Sequence, residues 1–225
     1  MKTVVLSGVN RGIGEAVART FLRAGWFVVG IGRSPPPWTT EEHERLSFHP
    51  CDMADHEAVQ TACASIQRPV DVLICNAASF GPRAFHTREF DPGDFVATLS
   101  VNVVAPMVLA NSLRPQLLAA EGRLIVMMST GNASLSGNVD GSMLAYRASK
   151  SALNQVVRNI AAEWGPEGFV ATALNPGWVR TDMGGEQAPL SPDEAAAEIV
   201  NFVEAVATPA LNGCFVNTDG SPLPW

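Results

Sequence analysis

The sequence predicts an α/β fold: one doubly wound parallel sheet of about seven strands with helices on both faces, in a single domain spanning residues 1–225. Three observations carry this expectation. Seven short, β-rich apolar runs recur along the chain, most are apolar on both faces, and segments of helical periodicity separate them. A strand that is apolar on both faces must be covered on both sides, as in a parallel sheet lying between helix layers.

The first run, "TVVL", starts at Thr3 and leads into a turn holding Gly8, Gly12 and Gly14. A helix follows, with Ile13, Val17, Phe21 and Ala24 at helical spacing, and then the second strand, "WFVVGIG". The Pro-rich stretch "SPPPWTTEEHE", Ser34 to Glu44, reads as a crossover that replaces a regular helix rather than as a domain boundary. Third and fourth strands are "LSFHP" and "DVLICNA". Helical sequence over Phe90 to Leu118 leads to the fifth strand, "GRLIVMM". A further helix runs from Ala145 to Trp164 without Pro or Gly, before the last two strands, "FVATALNP" and "GCFVNTDG". There is no internal repeat and no low-complexity tract.

Composition excludes several classes of function. With 47% hydrophobic and 16% charged residues, the chain is globular rather than disordered. A formal net charge of −7 with no basic run argues against nucleic acid or an anionic membrane as partner. The start, "MKTVVLSGVNRGIG", lacks the apolar core of a signal peptide, and no stretch approaches the uninterrupted apolar length of a membrane span. Cys51, Cys63, Cys75 and Cys214 form no Cys-x-x-Cys pair. They read as free thiols in a reducing cytoplasm, with no metal site expected.

The glycines are spaced Gly-x-x-x-Gly-x-Gly between a strand and an amphipathic helix. Without side chains they let a pyrophosphate approach the backbone and the helix N-terminus, so a dinucleotide site is expected here. At the end of the second strand an NAD site carries an acid for the ribose hydroxyl. This chain has Arg33 there and Arg11 in the turn, with no acid nearby. Guanidinium groups suit a 2′-phosphate, which favours NADPH over NADH.

Tyr146 is the only tyrosine, and Lys150 follows it at i+4 on the same helix face. An ammonium beside a phenol favours the phenolate and lowers a pKa that starts near 10. Such a phenol is a usable general acid or base. Ser129 follows "IVMM" at a strand's carboxyl end, where open α/β sheets bind ligands. Ser134 lies closer to Tyr146 in sequence, but Ser129 better fits a serine placed directly after a strand.

Together these elements resemble the short-chain dehydrogenase/reductase family over nearly the whole chain. "SGVNRGIG" matches its Thr-Gly-x-x-x-Gly-x-Gly turn, with Ser7 in place of threonine. "CNAA" keeps two residues of Asn-Asn-Ala-Gly, "VNVVAP" supplies Asn102, and "NPGWVRTDM" matches the Pro-Gly stretch that closes over the nicotinamide. Within the family, "GNVDGSMLAYRASKSALN" and "DGSPLPW" are similar to C-factor/sniffer-like carbonyl reductases.

The resemblance implies a Rossmann-type sheet and hydride transfer between nicotinamide and a carbonyl or alcohol carbon. It implies that Tyr146 donates the proton, Ser129 binds the carbonyl oxygen, Lys150 tunes the phenol and holds the ribose, and Asn102 holds a helix kink and a relay water. Gly8, Asn10, Arg11, Gly12, Ile13 and Gly14 would cradle the diphosphate side of NADP, and Asp52 with Met53 the adenine. Asn76, Ala77 and Ala78 would line the adenosine ribose, and Pro176, Gly177, Val179 and Thr181 the carboxamide. Trp178 on the same loop reads as packing.

Leu135, Met143, Leu144, Met183 and the segment near Phe80 suggest an apolar pocket for a small aldehyde or ketone. Small apolar residues on the two helical stretches after Phe90 and Ala145 suggest a homodimer or homotetramer, since the family pairs these helices between subunits. Two other readings stay open. A nucleotide-binding regulatory protein of the same fold would not need Tyr146, and a nucleotide-sugar epimerase normally carries a larger C-terminal substrate domain.

Overall fold

Each apolar run becomes a strand of one parallel sheet. The strands are β1 (Thr3–Ser7), β2 (Phe27–Gly32), β3 (Leu46–Pro50), β4 (Val72–Cys75), β5 (Leu124–Met128), β6 (Val170–Asn175) and β7 (Phe215–Asn217). Their order is β3-β2-β1-β4-β5-β6-β7, and every neighbouring pair is parallel. The chain winds outward from β1 to β3, then returns to place β4 on the other side of β1. That reversal opens a crevice at the carboxyl ends of β1 and β4, where a doubly wound sheet takes its ligand. This computed structural model describes residues 1–37, 43–82 and 87–225.

Side-chain alternation sorts each strand between two apolar layers. On one face, Val4, Leu6, Val126 and Met128 pack with α1 (Gly12–Arg23) and α7 (Pro192–Asn201) through Val17, Phe21, Ala196 and Ile199. On the other, Val5, Ile125 and Met127 meet Val59 and Cys63 of α2 (His56–Ala64) and Leu153 and Val157 of α6 (Leu144–Trp164). The odd-numbered side chains of β5 therefore face α6, and the even-numbered ones face away from it. Between β2 and β3 the described residues form no α-helix, only a short 3-10 turn at His43–Arg45. Residues 38–42 of the expected crossover lie outside the described residues.

The helical stretch after Phe90 is not one α-helix. It consists of α3 (Pro92–Leu99), a π-helical turn at Ser100–Val104, α4 (Ala105–Ser112) and α5 (Arg114–Leu118). The cause is local: Pro106 has no N–H for the Asn102 carbonyl four residues earlier, and a widened turn absorbs the mismatch. Asn102 sits inside that turn and is fully buried.

The expectation that no stretch approaches a membrane span needs correction. The run Pro92–Ser112 is long and apolar enough to cross a membrane by length and composition, with a mean hydropathy of 1.6 and 33% burial over its most apolar window. The polar residues that interrupt it in sequence include Thr98 and Asn102, which are buried and hydrogen-bonded within the protein. Phe90, just before it, and Val96 and Val104 within it are exposed.

Candidate active site

The glycine turn is closed from below by β4. The Ser7 hydroxyl accepts the N–H groups of Asn76 and Ala77, each at 3.1 Å, and the Asn76 side-chain amide donates to the carbonyls of Ser7 and Gly8 at 3.0 and 3.2 Å. A Cβ on Gly14 would stand 2.0 Å from the Gly8 carbonyl oxygen and 2.5 Å from Asn76 Nδ2, so the turn excludes any side chain there. Gly8 and Gly12 hold positive φ angles of 78° and 60°.

Side chains cap α2, α3 and α7, through Asp55, Asp91 and Ser191 respectively. Helix α1 starts from Arg11 without one. Its first-turn N–H groups are thus donors for an anion, and the side-chain-free turn before them fits a dinucleotide diphosphate.

The other expected cofactor residues are distributed around this turn. Asn10 donates to Ser34 Oγ at 3.3 Å, tying the turn to the end of β2, where Arg33 is exposed. Ile13 packs on the core, Ala77 is half-buried beside Gly8, and Ala78 is half-buried. Asp52 is exposed and caps its own turn through Ala54 N at 2.9 Å, whereas the Met53 side chain is buried in the core.

After β6, Pro176 and Val179 are buried, while Gly177 is exposed. Val179 pairs with Leu190 to close the loop on itself. Thr181 approaches the glycine turn, its Cγ2 lying 3.2 Å from where a Gly12 Cβ would be. Arg11, expected beside a 2′-phosphate, is instead paired with Asp182 of this loop at 2.5 Å. Both members of that pair are largely exposed.

At the end of β5 the structure separates two hydroxyls that adjoin in sequence. Ser129 is buried and donates to Asn154 Oδ1 of α6 at 2.6 Å. It extends the odd-numbered series of β5, which faces α6. Thr130 continues the extended backbone, at φ −168° and ψ 152°, so its side chain points away from that series. The Thr130 side chain lies near enough to the Tyr146 phenol to favour its ionised form. Ser129, the expected hydroxyl, is thus bonded to Asn154, and the hydroxyl that bears on the phenol is that of Thr130. Ser134 caps a turn, accepting from Gly137 N at 3.1 Å.

Tyr146 and Lys150 share one face of α6, with the ammonium 6.0 Å from the centre of the phenol ring. Both are buried. The sequence reading has Lys150 lowering the phenol's pKa; the structure reverses the balance. Burial pushes Tyr146 up to about 12, opposed by the Thr130 side chain. Burial likewise pulls Lys150 down to about 8. The lysine Nζ donates to the Met128 carbonyl at 2.7 Å rather than to the phenol.

Asn102 joins three segments. Its Oδ1 accepts from Ser79 N and its Nδ2 donates to Ser79 O, both at 2.7 Å, and Nδ2 also donates to Ser149 Oγ at 2.9 Å. Ser149 in turn donates to the Tyr146 carbonyl at 2.8 Å.

Two surface hollows border this region, and neither has Tyr146 in its lining. One, of about 410 Å³, is polar and includes Asn175, Gly177 and Glu198. The other, of about 280 Å³, takes Leu135 and Trp225 into its wall. Leu135 is thus placed against Trp225, whose carbonyl accepts from Leu135 N at 2.6 Å, rather than beside the phenol. Met143, Leu144 and Met183 are half-buried, and Met143 holds a left-handed φ of 55° before α6.

A family model described as short chain dehydrogenase matches residues 2–190. The chain belongs to this family. Proteins similar to it include C-signal of Myxococcus xanthus, 35% identical over 157 residues, or 70% of this chain and 93% of that protein. Among solved structures, the carbonyl reductase Sniffer of D. melanogaster superposes with a TM-score of 0.91 at 28% identity, covering all of both chains. A short-chain dehydrogenase/reductase of Burkholderia multivorans with bound NADP gives 0.85 at 31% identity, covering 100% of this chain and 99% of that one. The protein is an oxidoreductase of this family that binds NAD(P).

The sequence reading did not weigh Thr130, which comes into view only once Ser129 is seen bonded to Asn154. Thr130→Val should lower turnover about a hundredfold or more, the scale for losing one donor at a developing oxyanion. Ser129→Ala should leave turnover largely intact and lower stability by roughly 1–3 kcal/mol, because Asn154 Oδ1 loses its partner in the core. Steady-state kinetics and thermal melts of the two variants separate these effects.

Proposed function

We propose that this oxidoreductase is an NADPH-dependent carbonyl reductase acting on a small, apolar aldehyde or ketone. The observation that carries the reading is the buried phenol of Tyr146, kept protonated through the neutral range, with the Lys150 side chain on the same helix face. A protonated phenol is the form a proton donor needs.

When bound, the dinucleotide would supply a hydride to the carbonyl carbon. Tyr146 would then give its proton to the carbonyl oxygen while the Thr130 hydroxyl donates a hydrogen bond to the same oxygen. Lys150, held by the Met128 carbonyl, would meet the nicotinamide ribose and resupply the proton. Asn102 would keep α6 and the Ser79 segment in register around the phenol. The turn of Gly8, Gly12 and Gly14 with the first N–H groups of α1 would bind the diphosphate. Asn76, Ala77, Gly177, Val179 and Thr181 would line the ribose and carboxamide. Intact donors argue against a purely regulatory nucleotide-binding role.

Arg33 supports the choice of NADPH, being an exposed guanidinium at the end of β2 with no acid beside it in sequence. Arg11 would join it only by leaving Asp182. The exposed Phe90, Val96 and Val104 support assembly into a homodimer or homotetramer through the helices after Phe90.

Tyr146→Phe should preserve the fold and cofactor affinity and reduce turnover by about a hundredfold to ten-thousandfold, the usual range for a general acid. A variant keeping more than about a tenth of wild-type turnover, on the same scale, would overturn the proton-donor role. Arg33→Asp should weaken NADPH roughly ten- to a hundredfold and spare NADH. Titration with both reduced cofactors at fixed ionic strength checks this, and equal wild-type affinity for the two would sink the NADPH preference. Sedimentation at micromolar concentration should give a dimer or larger; a monomer would return those apolar side chains to the role of ordinary surface.

A further inference from the structure

Phe80 has no part in the proton path described above, yet its ring lies on the phenol. The two rings are stacked, with centroids 4.7 Å apart and planes at 25°. Both neighbours of Phe80 are pinned. Asn102 holds the Ser79 backbone at its N–H and its carbonyl, each at 2.7 Å. Gly81 adopts a φ of 68°, donates to Ser79 Oγ at 3.3 Å, and sits so close to Thr98 that a Cβ would lie 2.8 Å from its Oγ1. A segment fixed on both sides of a ring presents that ring at low entropic cost.

We infer that Phe80 is a positioning residue: its ring covers one face of Tyr146, keeps water from it and holds the phenol in its proton-donating form. This deepens the reading of Tyr146 as the donor and rests on it. Burial is the larger influence on the phenol and works against its ionisation, consistent with a cover of this kind. Among the described residues, the other groups bearing on it are the Thr130 hydroxyl after β5 and the Lys150 ammonium on α6. On that helix Arg147 is paired with Asp140 at 3.3 Å. The Ser79–Gly81 segment and the buried residues Thr98 and Asn102 behind it contribute no ionisable side chain.

Because Tyr146 is the only tyrosine, ultraviolet tyrosinate absorbance reports this phenol alone and needs no turnover. Removing the ring admits water, stabilises the phenolate and moves ionisation to lower pH. Phe80→Ala should lower the titration midpoint by roughly one pH unit or more, on the scale of burial effects. Phe80→Val should give an intermediate shift and Phe80→Leu almost none, with circular dichroism confirming the fold at each pH. The alkaline fall of the reduction rate should move the same way. Coincident phenol titrations for folded wild type, Phe80→Val and Phe80→Ala would overturn the inference. If the titration moves while Tyr146→Phe stays active, the cover is upheld and the proton-donor reading falls.

Discussion

With no solvent exposure, the Asn102 side chain must find every hydrogen-bond partner inside the protein, and what it finds binds the site together. Its carboxamide grips both backbone groups of Ser79 and the hydroxyl of Ser149. Through Ser149 it reaches the Tyr146 carbonyl, and through Ser79 it fixes the segment that carries Phe80. The π-helical turn that sets Asn102 in this place follows from Pro106. One missing N–H thus contributes to a three-way joint between the helical break, the loop after β4 and the start of α6.

The glycine turn depends on a similar economy of space. Ser7 and Asn76 spend their polar groups on holding the ends of β1 and β4 together, directly beneath the turn. Gly14 then has no room for a Cβ, and the start of α1 lies against the turn with no side-chain cap. The crevice at the strand reversal, the bare turn and the uncapped helix are one construction. Each part would be weak alone, and together they form a cradle for an anion.

Burial decides the electrostatics of the proton site. An ammonium and a phenolate would attract each other, but each would first have to be charged in a dry environment. Tyr146 resists ionisation and Lys150 gives up its proton more easily than a free lysine would. The phenol consequently keeps its proton at neutral pH, in keeping with the proposed delivery of one to a carbonyl oxygen. Mutual activation through proximity, the simplest inference from i and i+4 spacing, is outweighed by the shared loss of water.

By itself the sequence determined the parts that depend on local pattern. Each of the seven runs became a strand because apolar periodicity and chain direction are written residue by residue. The glycine spacing named the turn, and the helical spacing put Tyr146 and Lys150 on one face. Tertiary structure alone decided where the hydroxyls after β5 go. β5 is buried on both faces, so its sequence does not say which parity looks at α6, and the sequence reading, which weighed Ser129 against Ser134, did not consider that Asn154 would take Ser129. The Arg11–Asp182 pair joins residues 171 positions apart, and nothing local announces it. The sign of the phenol's shift belongs to the same class, because desolvation is set by everything packed around a group and not by its neighbours in the chain.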